Sequence, residues 1–165
     1  MTNNIPLDLL GRHISEIPEA YSTTEGQSLE RDIYMLDVVN DFLGKPYQMI
    51  FIATDKNDLI INFTIYIDEI IDRPFYDSMV EEYGEPDSMY KKGEIISIGE
   101  PVKVDFFESS STTYELQECT FDESPLTFIW QKEAYDIQVI IGDKNDTFQK
   151  SRIIFDKDLM SSLAN

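Results

Sequence analysis

Asp55-Lys56-Asn57-Asp58 is the stretch that decides the fold, because the same tetrapeptide returns at Asp143-Lys144-Asn145-Asp146. Each copy lies between two apolar runs with strand character: residues 49–54 and 59–68 around the first, and 137–141 and 151–156 around the second. Asp and Asn favour turns because their side chains bond to nearby backbone groups. The sequence therefore predicts two β-hairpins closed by polar turns, and an internal repeat is the first hypothesis.

One helix follows the first hairpin. Asp72 is a suitable N-cap, and Pro74 suits the first turn. The apolar side chains then recur at helical spacing until Gly84, which ends the helix; they are Phe75, Met79, Val80 and Tyr83. A shorter helix or turn is expected near the N-terminus, between Pro6 and Pro18, and a final helical turn within residues 157–163.

The remaining apolar runs read as strands joined by short turns, at residues 33–39, 95–98, 102–107, 112–116 and 127–130. Consecutive strands with few, separate helices indicate an α+β fold with an antiparallel sheet. No convincing linker divides the chain. We therefore expect a single domain over residues 1–165, made of two related helix-plus-sheet halves, about residues 1–71 and 72–165.

The chain is strongly acidic. Of its 165 residues 32 are Asp or Glu and 13 are Lys or Arg, which gives a formal net charge of -19. A negative surface disfavours direct binding to nucleic acid or to an anionic membrane, and it accelerates encounter with a basic protein. Solubility alone is the simpler explanation of the same charge.

The compartment is inferred from Cys119 and from the N-terminal residues. A single cysteine forms no internal disulfide, which fits a reducing environment, and the neighbouring carboxylates are expected to raise the pKa of its thiol. The first residues show no basic region followed by an apolar core, and no apolar run approaches the length of a transmembrane helix. We expect a cytoplasmic protein.

Catalytic, metal and cofactor sites find little support. His13 is the single histidine, so a zinc site that needs several His or Cys ligands cannot be built. Asp55, Asn57 and Asp58 invite a calcium site, but the spacing does not match an EF-hand-like loop, and turns are the better interpretation. There is no glycine-rich phosphate loop. Acidic pairs are too numerous to single out a catalytic one, and no cofactor is predicted.

Acidic and aromatic residues alternate between Val102 and Trp130. On a strand, Tyr114, Leu116 and Glu118 point to one face, and Glu115, Gln117 and Cys119 to the other. Aromatic anchors and carboxylates together suit a basic protein partner. The predicted partner-binding residues are Asp105, Glu108, Tyr114, Glu115, Glu118 and Trp130. The alternative is that the aromatic residues form the core and the acids its rim.

The helix ending Tyr83-Gly84-Glu85-Pro86 resembles the Tyr-Gly-x-Pro ending of small bacterial proteins built from a helix and an antiparallel sheet, sometimes in tandem. Residues 10–14 are its degenerate counterpart in the first half. The layout is similar to that of immunity proteins of polymorphic toxin systems and of β-lactamase inhibitor protein. The resemblance implies an inhibitor that neutralises a toxin by direct binding, without catalysis. Lack of a signal and of paired cysteines favours the cytoplasmic immunity proteins, and no functional residue is carried over.

Three other functions stay open. A structural or adaptor subunit would show a self-complementary apolar patch. A DNA-mimic inhibitor of a nucleic-acid enzyme would carry carboxylates in rows like phosphates. An enzyme would need a deep pocket holding His13 or a carboxylate pair with shifted pKa values.

Overall fold

The computed structural model describes residues 5–23, 31–100, 102–104, 107–109, 111–142 and 151–159, with the backbone alone over 102–104 and 107–109. The strands are β1 (Tyr21–Ser22), β2 (Asp32–Phe42), β3 (Lys45–Thr54), β4 (Ile60–Ile67), β5 (Ser88–Ile98), β6 (Val102–Val104), β7 (Phe107–Ser109), β8 (Thr112–Glu118), β9 (Thr127–Gln131), β10 (Asp136–Ile140) and β11 (Ser151–Asp156). One α-helix, α1 (Arg73–Tyr83), and three 3-10 helices (Leu7–Leu9, Ile14–Glu16, Phe121–Glu123) complete the described elements.

Nine strands form one antiparallel sheet in the order β1-β2-β3-β4-β11-β10-β9-β5-β8, and β6 and β7 form a separate hairpin. This confirms an α+β class dominated by an antiparallel sheet. The run at residues 102–107, predicted as one strand, is split between β6 and β7, which pair with each other. The predicted helical turn at 157–163 lies largely outside the described residues.

The strands on either side of each repeated segment pair with each other, as predicted: β3 pairs with β4 and β10 with β11. In the first turn the Asp55 Oδ1 accepts hydrogen bonds from the backbone N–H groups of Asn57 (2.8 Å) and Leu59 (3.0 Å). Asp58 adopts a φ of 60°, a conformation that Asp tolerates better than most residues. The Asp55 carboxylate therefore stabilises the first turn. The second turn, residues 143–146, lies outside the described residues.

Helix α1 begins and ends where the sequence predicts. The Asp72 carboxylate accepts a hydrogen bond from the Phe75 N–H (3.0 Å), and Gly84 follows the last turn with a φ of 82°. Phe75, Tyr76 and Met79 are buried. Among the described residues, no helix has the length and hydropathy that a membrane crossing requires.

The two faces of the sheet differ. One face carries the core, and α1 packs on it through the edge-to-face contact of Tyr76 with Phe128 (5.6 Å between ring centroids) and through Phe75 beside Phe42 (6.2 Å). Its completely buried side chains include Phe63, Ile65, Ile153, Phe155, Ile137, Val139, Phe128 and Trp130. Alternation places the neighbouring residues of each strand on the opposite face. The described helices belong to the core face, and we call the opposite face the open face because no described helix lies on it.

Candidate functional site: the projecting arm

The end of the sheet that carries β5 and β8 extends beyond its neighbour. Strand β9 pairs only with Ser88, Met89 and Tyr90 of β5. From residue 91 to residue 98, β5 is paired only with β8. Residues 91–98 and β8 therefore form a two-stranded ribbon, which we call the arm.

Exposed apolar side chains are concentrated on the arm. The described part of the chain has nine exposed large hydrophobic residues, and five of them lie here. Their exposed fractions are 55% for Ile95, 66% for Ile96, 70% for Ile98, 38% for Tyr114 and 54% for Leu116. Single exposed hydrophobic residues are ordinary, so their concentration on one ribbon makes the arm the candidate interaction surface.

One face of the arm continues the open face of the sheet. Ile95 pairs with Tyr114, and Lys92 pairs with Leu116, so these four side chains share a face. Tyr90 precedes them on the same face of β5, and its neighbours across the sheet are Thr127, Ile140, Arg152 and Tyr66. A continuous face, with apolar residues among Arg152, Lys92 and Glu118, thus runs from the sheet onto the arm.

Carboxylates surround the apolar residues of the arm. Glu94, Glu115 and Glu118 are exposed, and none of them takes part in an ion pair within the described part of the chain. Lys92 lies 5.0 Å from the centre of the Tyr114 ring, in a cation–π contact. The arm therefore presents acidic groups that can pair with a basic partner.

The base of the arm is held by Glu123, in the 3-10 helix that follows β8. This carboxylate accepts hydrogen bonds from the Lys91 Nζ (2.8 Å) and from the Thr120 N–H (2.8 Å). The Lys91 hydrogen bond is the main cause that lowers the pKa of Glu123 to about 2. Phe121, in the same turn, stacks on Tyr76 of α1 at 4.3 Å. These contacts attach the arm to the core.

An open cleft of about 420 Å³ lies beside the base of the arm. Lys91 and Lys92 contribute to it from β5, and Phe121 and Glu123 from the 3-10 helix. Its remaining lining residues are Ile70, Ile71, Ser124, Pro125, Leu126, Ile141 and Gly142. The cleft has both polar and apolar walls and adjoins the arm, so one partner could contact both.

Three of the six predicted site residues lie together on the arm, namely Tyr114, Glu115 and Glu118. Trp130 does not join them: it is completely buried and donates a hydrogen bond from Nε1 to the Gly84 carbonyl (2.7 Å). Trp130 is therefore a core residue, as the alternative interpretation held, and direct contact with a partner is not available to it. Asp105 lies outside the described residues. Glu108 pairs through its backbone with Lys103.

The sequence interpretation missed the isoleucines of β5. Ile95 and Ile96 belong to an apolar run that reads as a buried strand, yet both are exposed. The sequence feature that could have indicated an unusual strand is the pair of glycines on either side of the run, Gly93 and Gly99. A side chain at Gly93 would collide with Gln117, since its Cβ would lie 2.8 Å from the Gln117 Cγ. Glycine there permits close pairing of β5 and β8 within the arm.

The groups considered for catalysis do not assemble into a site. His13 is exposed, its Nδ1 lies 2.9 Å from the Ser15 hydroxyl, and its Nε2 lies 3.9 Å from Asp58. Burial raises the pKa of the Cys119 thiol, and the Glu123 carboxylate raises it further. No group of three or more His, Cys, Asp or Glu residues suited to a metal occurs in the described ranges.

Comparison with protein-family models, with curated proteins and with solved structures finds no match to this chain.

Proposed function

We propose that this chain is a non-catalytic acidic protein that binds and inhibits a basic protein partner in the cytoplasm, in the manner of bacterial immunity proteins. The observation that carries the proposal is the arm, where five exposed apolar side chains lie among three carboxylates without an ion pair in the described residues. A protein of net charge -19 attracts a basic partner over a long range. The arm then supplies the short-range contact.

Apolar and acidic groups have separate roles in this binding. Burial of Ile96, Ile98 and Leu116 under a partner would supply most of the affinity, because apolar area removed from water is the main favourable contribution. Glu115 and Glu118 would pair with Lys or Arg at the rim, which raises the association rate more than the final affinity. Binding should therefore weaken with salt, mainly through slower association.

A DNA mimic is less well supported, because the carboxylates of the arm alternate with apolar side chains instead of forming a continuous acidic row. A structural subunit that binds further copies of itself meets a second difficulty. Two chains of charge -19 repel each other, and their like charges would meet at the contact.

We also propose that the two halves of the chain, about residues 1–71 and 72–165, are related by duplication. In the strand order β2-β3-β4-β11-β10-β9, β4 and β11 are neighbours at the centre. Going outward, β4 is followed by β3 and β2 on one side, and β11 by β10 and β9 on the other. Each half of the chain thus contributes three consecutive strands in the same order. At the contact of β4 with β11, Ile65 pairs with Ile153. These residues are 88 positions apart, and Asp55 and Asp143 of the repeated tetrapeptide are also 88 apart. A local twofold axis through this pair would relate the two hairpins.

Capture of partners from the source organism's lysate and secretome, at low and at high salt, tests the proposed function. The wild-type chain should retain a basic protein in a salt-sensitive manner and inhibit the activity of that protein. Ile96→Ser with Leu116→Ser should abolish capture. Val39→Ser is the matched control, since Val39 is 87% exposed on β2, far along the sheet. If both variants retain the same proteins as wild type, the arm is not the binding site.

Charge is tested separately. Glu115→Lys with Glu118→Lys should slow association with the captured protein by about tenfold or more at low salt, and high salt should reduce the difference. Glu81→Lys with Glu82→Lys changes the net charge equally at exposed positions of α1 and should have a smaller effect. Equal slowing by both pairs would show that net charge alone matters.

A further inference from the structure

We infer that the partner docks by adding an extended segment to the outer edge of β8, so that the sheet of this chain continues into the partner. The inference rests on the proposed function and names its mode of binding. Strand β8 is the last strand of the sheet, and no described strand lies beyond it. A terminal strand exposes a row of backbone donors and acceptors along one edge.

The direction of those backbone groups follows from the contacts of β8 with β5. The Cys119 N–H donates to the Met89 carbonyl (3.1 Å), and the Ser111 carbonyl accepts from the Gly99 N–H (2.6 Å). The backbone groups of Ser111 and Cys119, the odd-numbered residues that flank β8, thus point toward β5. The irregularities in this pairing are extra residues in β5, so alternation continues unbroken through β8. The N–H and C=O groups of Tyr114, Leu116 and Glu118 therefore point outward.

The two edges of the sheet differ in how strongly pairing with a further strand is hindered. At the opposite edge, β1 covers Tyr34 and Met35 of β2, and an irregularity between Asp37 and Asn40 disturbs the rest of that strand. Strand β8 contains no Pro and no Lys, the residues that commonly protect an edge from pairing. It also keeps a regular course over seven residues. A regular edge that lacks Pro and Lys, and whose charged residues Glu115 and Glu118 disfavour only an acidic strand, is suited to addition of a basic strand.

The side chains of β8 define the chemistry of the added segment. On one face Tyr114 and Leu116 would lie beside apolar residues of the new strand, and Glu118 beside a Lys or Arg. On the other face Glu115 would also favour a basic residue. A second copy of this chain fits poorly, because antiparallel pairing of two β8 strands centred on Glu115 would place two carboxylates opposite each other. The occupant is therefore an extended segment of a basic protein, with apolar residues opposite Tyr114 and Leu116 and basic residues opposite Glu115 and Glu118.

Amide hydrogen exchange in the isotope-labelled full chain, followed by NMR, tests this inference. The probe is a short peptide designed to place Val opposite Tyr114 and Leu116 and Lys opposite Glu115 and Glu118. Its control is the same peptide with N-methyl groups on alternate residues, which prevent pairing along one edge. Binding should slow exchange of the Tyr114, Leu116 and Glu118 amides by about tenfold or more. Thr113, Glu115 and Gln117, whose amides face β5, should change little. The methylated peptide should leave all six amides unchanged.

Three results would overturn strand addition: no change with the peptide at millimolar concentration, equal protection by the methylated control, or protection that grows with protein concentration alone and accompanies a dimer. Failure of this inference is distinguishable from failure of the proposed function. If wild type captures a basic protein through the arm while the outward amides keep their exchange rates, binding uses side chains alone. If the peptide protects those amides and no basic protein is ever captured, strand addition holds and the proposed function fails.

Discussion

Replacement of Trp130 by Phe distinguishes a core tryptophan from an interface tryptophan. Trp130 is completely buried, lies 5.3 Å from Phe128 in an edge-to-face contact, and donates a hydrogen bond to the Gly84 carbonyl. Phenylalanine keeps an aromatic ring but loses the donor and part of the volume. We expect the folded chain to retain its partner with unchanged affinity and to be markedly less stable.

The size of the effect follows from these two losses. Loss of the hydrogen bond costs about 0.5–1.5 kcal/mol. The incompletely filled space beside Phe128 and Tyr83 adds about 1–3 kcal/mol, as large-to-small core substitutions do. The free energy of unfolding should therefore fall by about 1.5–4.5 kcal/mol, which is a large part of the stability of a protein of this size.

Urea unfolding followed by circular dichroism measures this change, since Trp130→Phe removes the only tryptophan. In the wild type, fluorescence of Trp130 should resist quenching by the neutral quencher acrylamide until the chain unfolds. Tyr114→Ala is the contrasting variant, because Tyr114 lies on the arm and should matter for binding more than for stability. A loss below about 0.5 kcal/mol for Trp130→Phe, or ready quenching in the native protein, would refute the assignment of Trp130 to the core.

Three further predictions concern the core, the base of the arm and the end of α1. Ile153→Ala should lower the free energy of unfolding by about 2–5 kcal/mol and Ile96→Ala by less than about 1 kcal/mol, because Ile153 is fully buried and Ile96 is 66% exposed. Urea unfolding measures both changes. Equal losses of stability would contradict the description of the arm as exposed. Carbon-13 NMR titration should place the pKa of Glu123 at about 2, and Lys91→Met should raise it toward the ordinary value of 4.5. The lowered pKa stabilises the fold above pH 4.5, and this contribution is lost as the pH falls toward 2. An unchanged titration midpoint of Glu123 in the variant would exclude Lys91 as the cause. Gly84→Ala should cost about 1–3 kcal/mol in urea unfolding, since Gly84 has a φ of 82° and a ψ of -175°; an unchanged stability would show that the helix end adapts without strain.

Local signals predicted the elements whose ends are fixed by a few neighbouring residues. Helix α1 is set by Asp72 and Gly84, which act on backbone groups within one turn. The first hairpin is set by Asp55, whose carboxylate bonds to the backbone of the turn that it starts. In each case the residue that determines the end of the element lies within five residues of the backbone groups that it affects. The sequence alone is therefore sufficient to predict where these elements begin or end.

The arm could not be predicted in the same way, because its exposure depends on where a distant strand stops. Residues 95 and 96 are isoleucines, and they lie on the part of β5 beyond Tyr90, where its pairing with β9 has ended. The segment before β9 instead forms the 3-10 helix at Phe121–Glu123, followed by Pro125. Trp130 shows the converse, since its burial depends on packing against Tyr83 of α1, 47 positions earlier in the sequence.

The base of the arm explains how an exposed ribbon can serve as a binding element. An isolated two-stranded ribbon is marginally stable in water, and a partner that had to order it would lose affinity to the entropy of ordering. Here the ribbon continues two strands of a nine-stranded sheet. The contact of Lys91 with Glu123 and the stacking of Phe121 on Tyr76 fix the end of the arm that joins the core. The arm is thus attached to the core at its base, as the proposed binding requires, and its exposed apolar side chains take no part in the core.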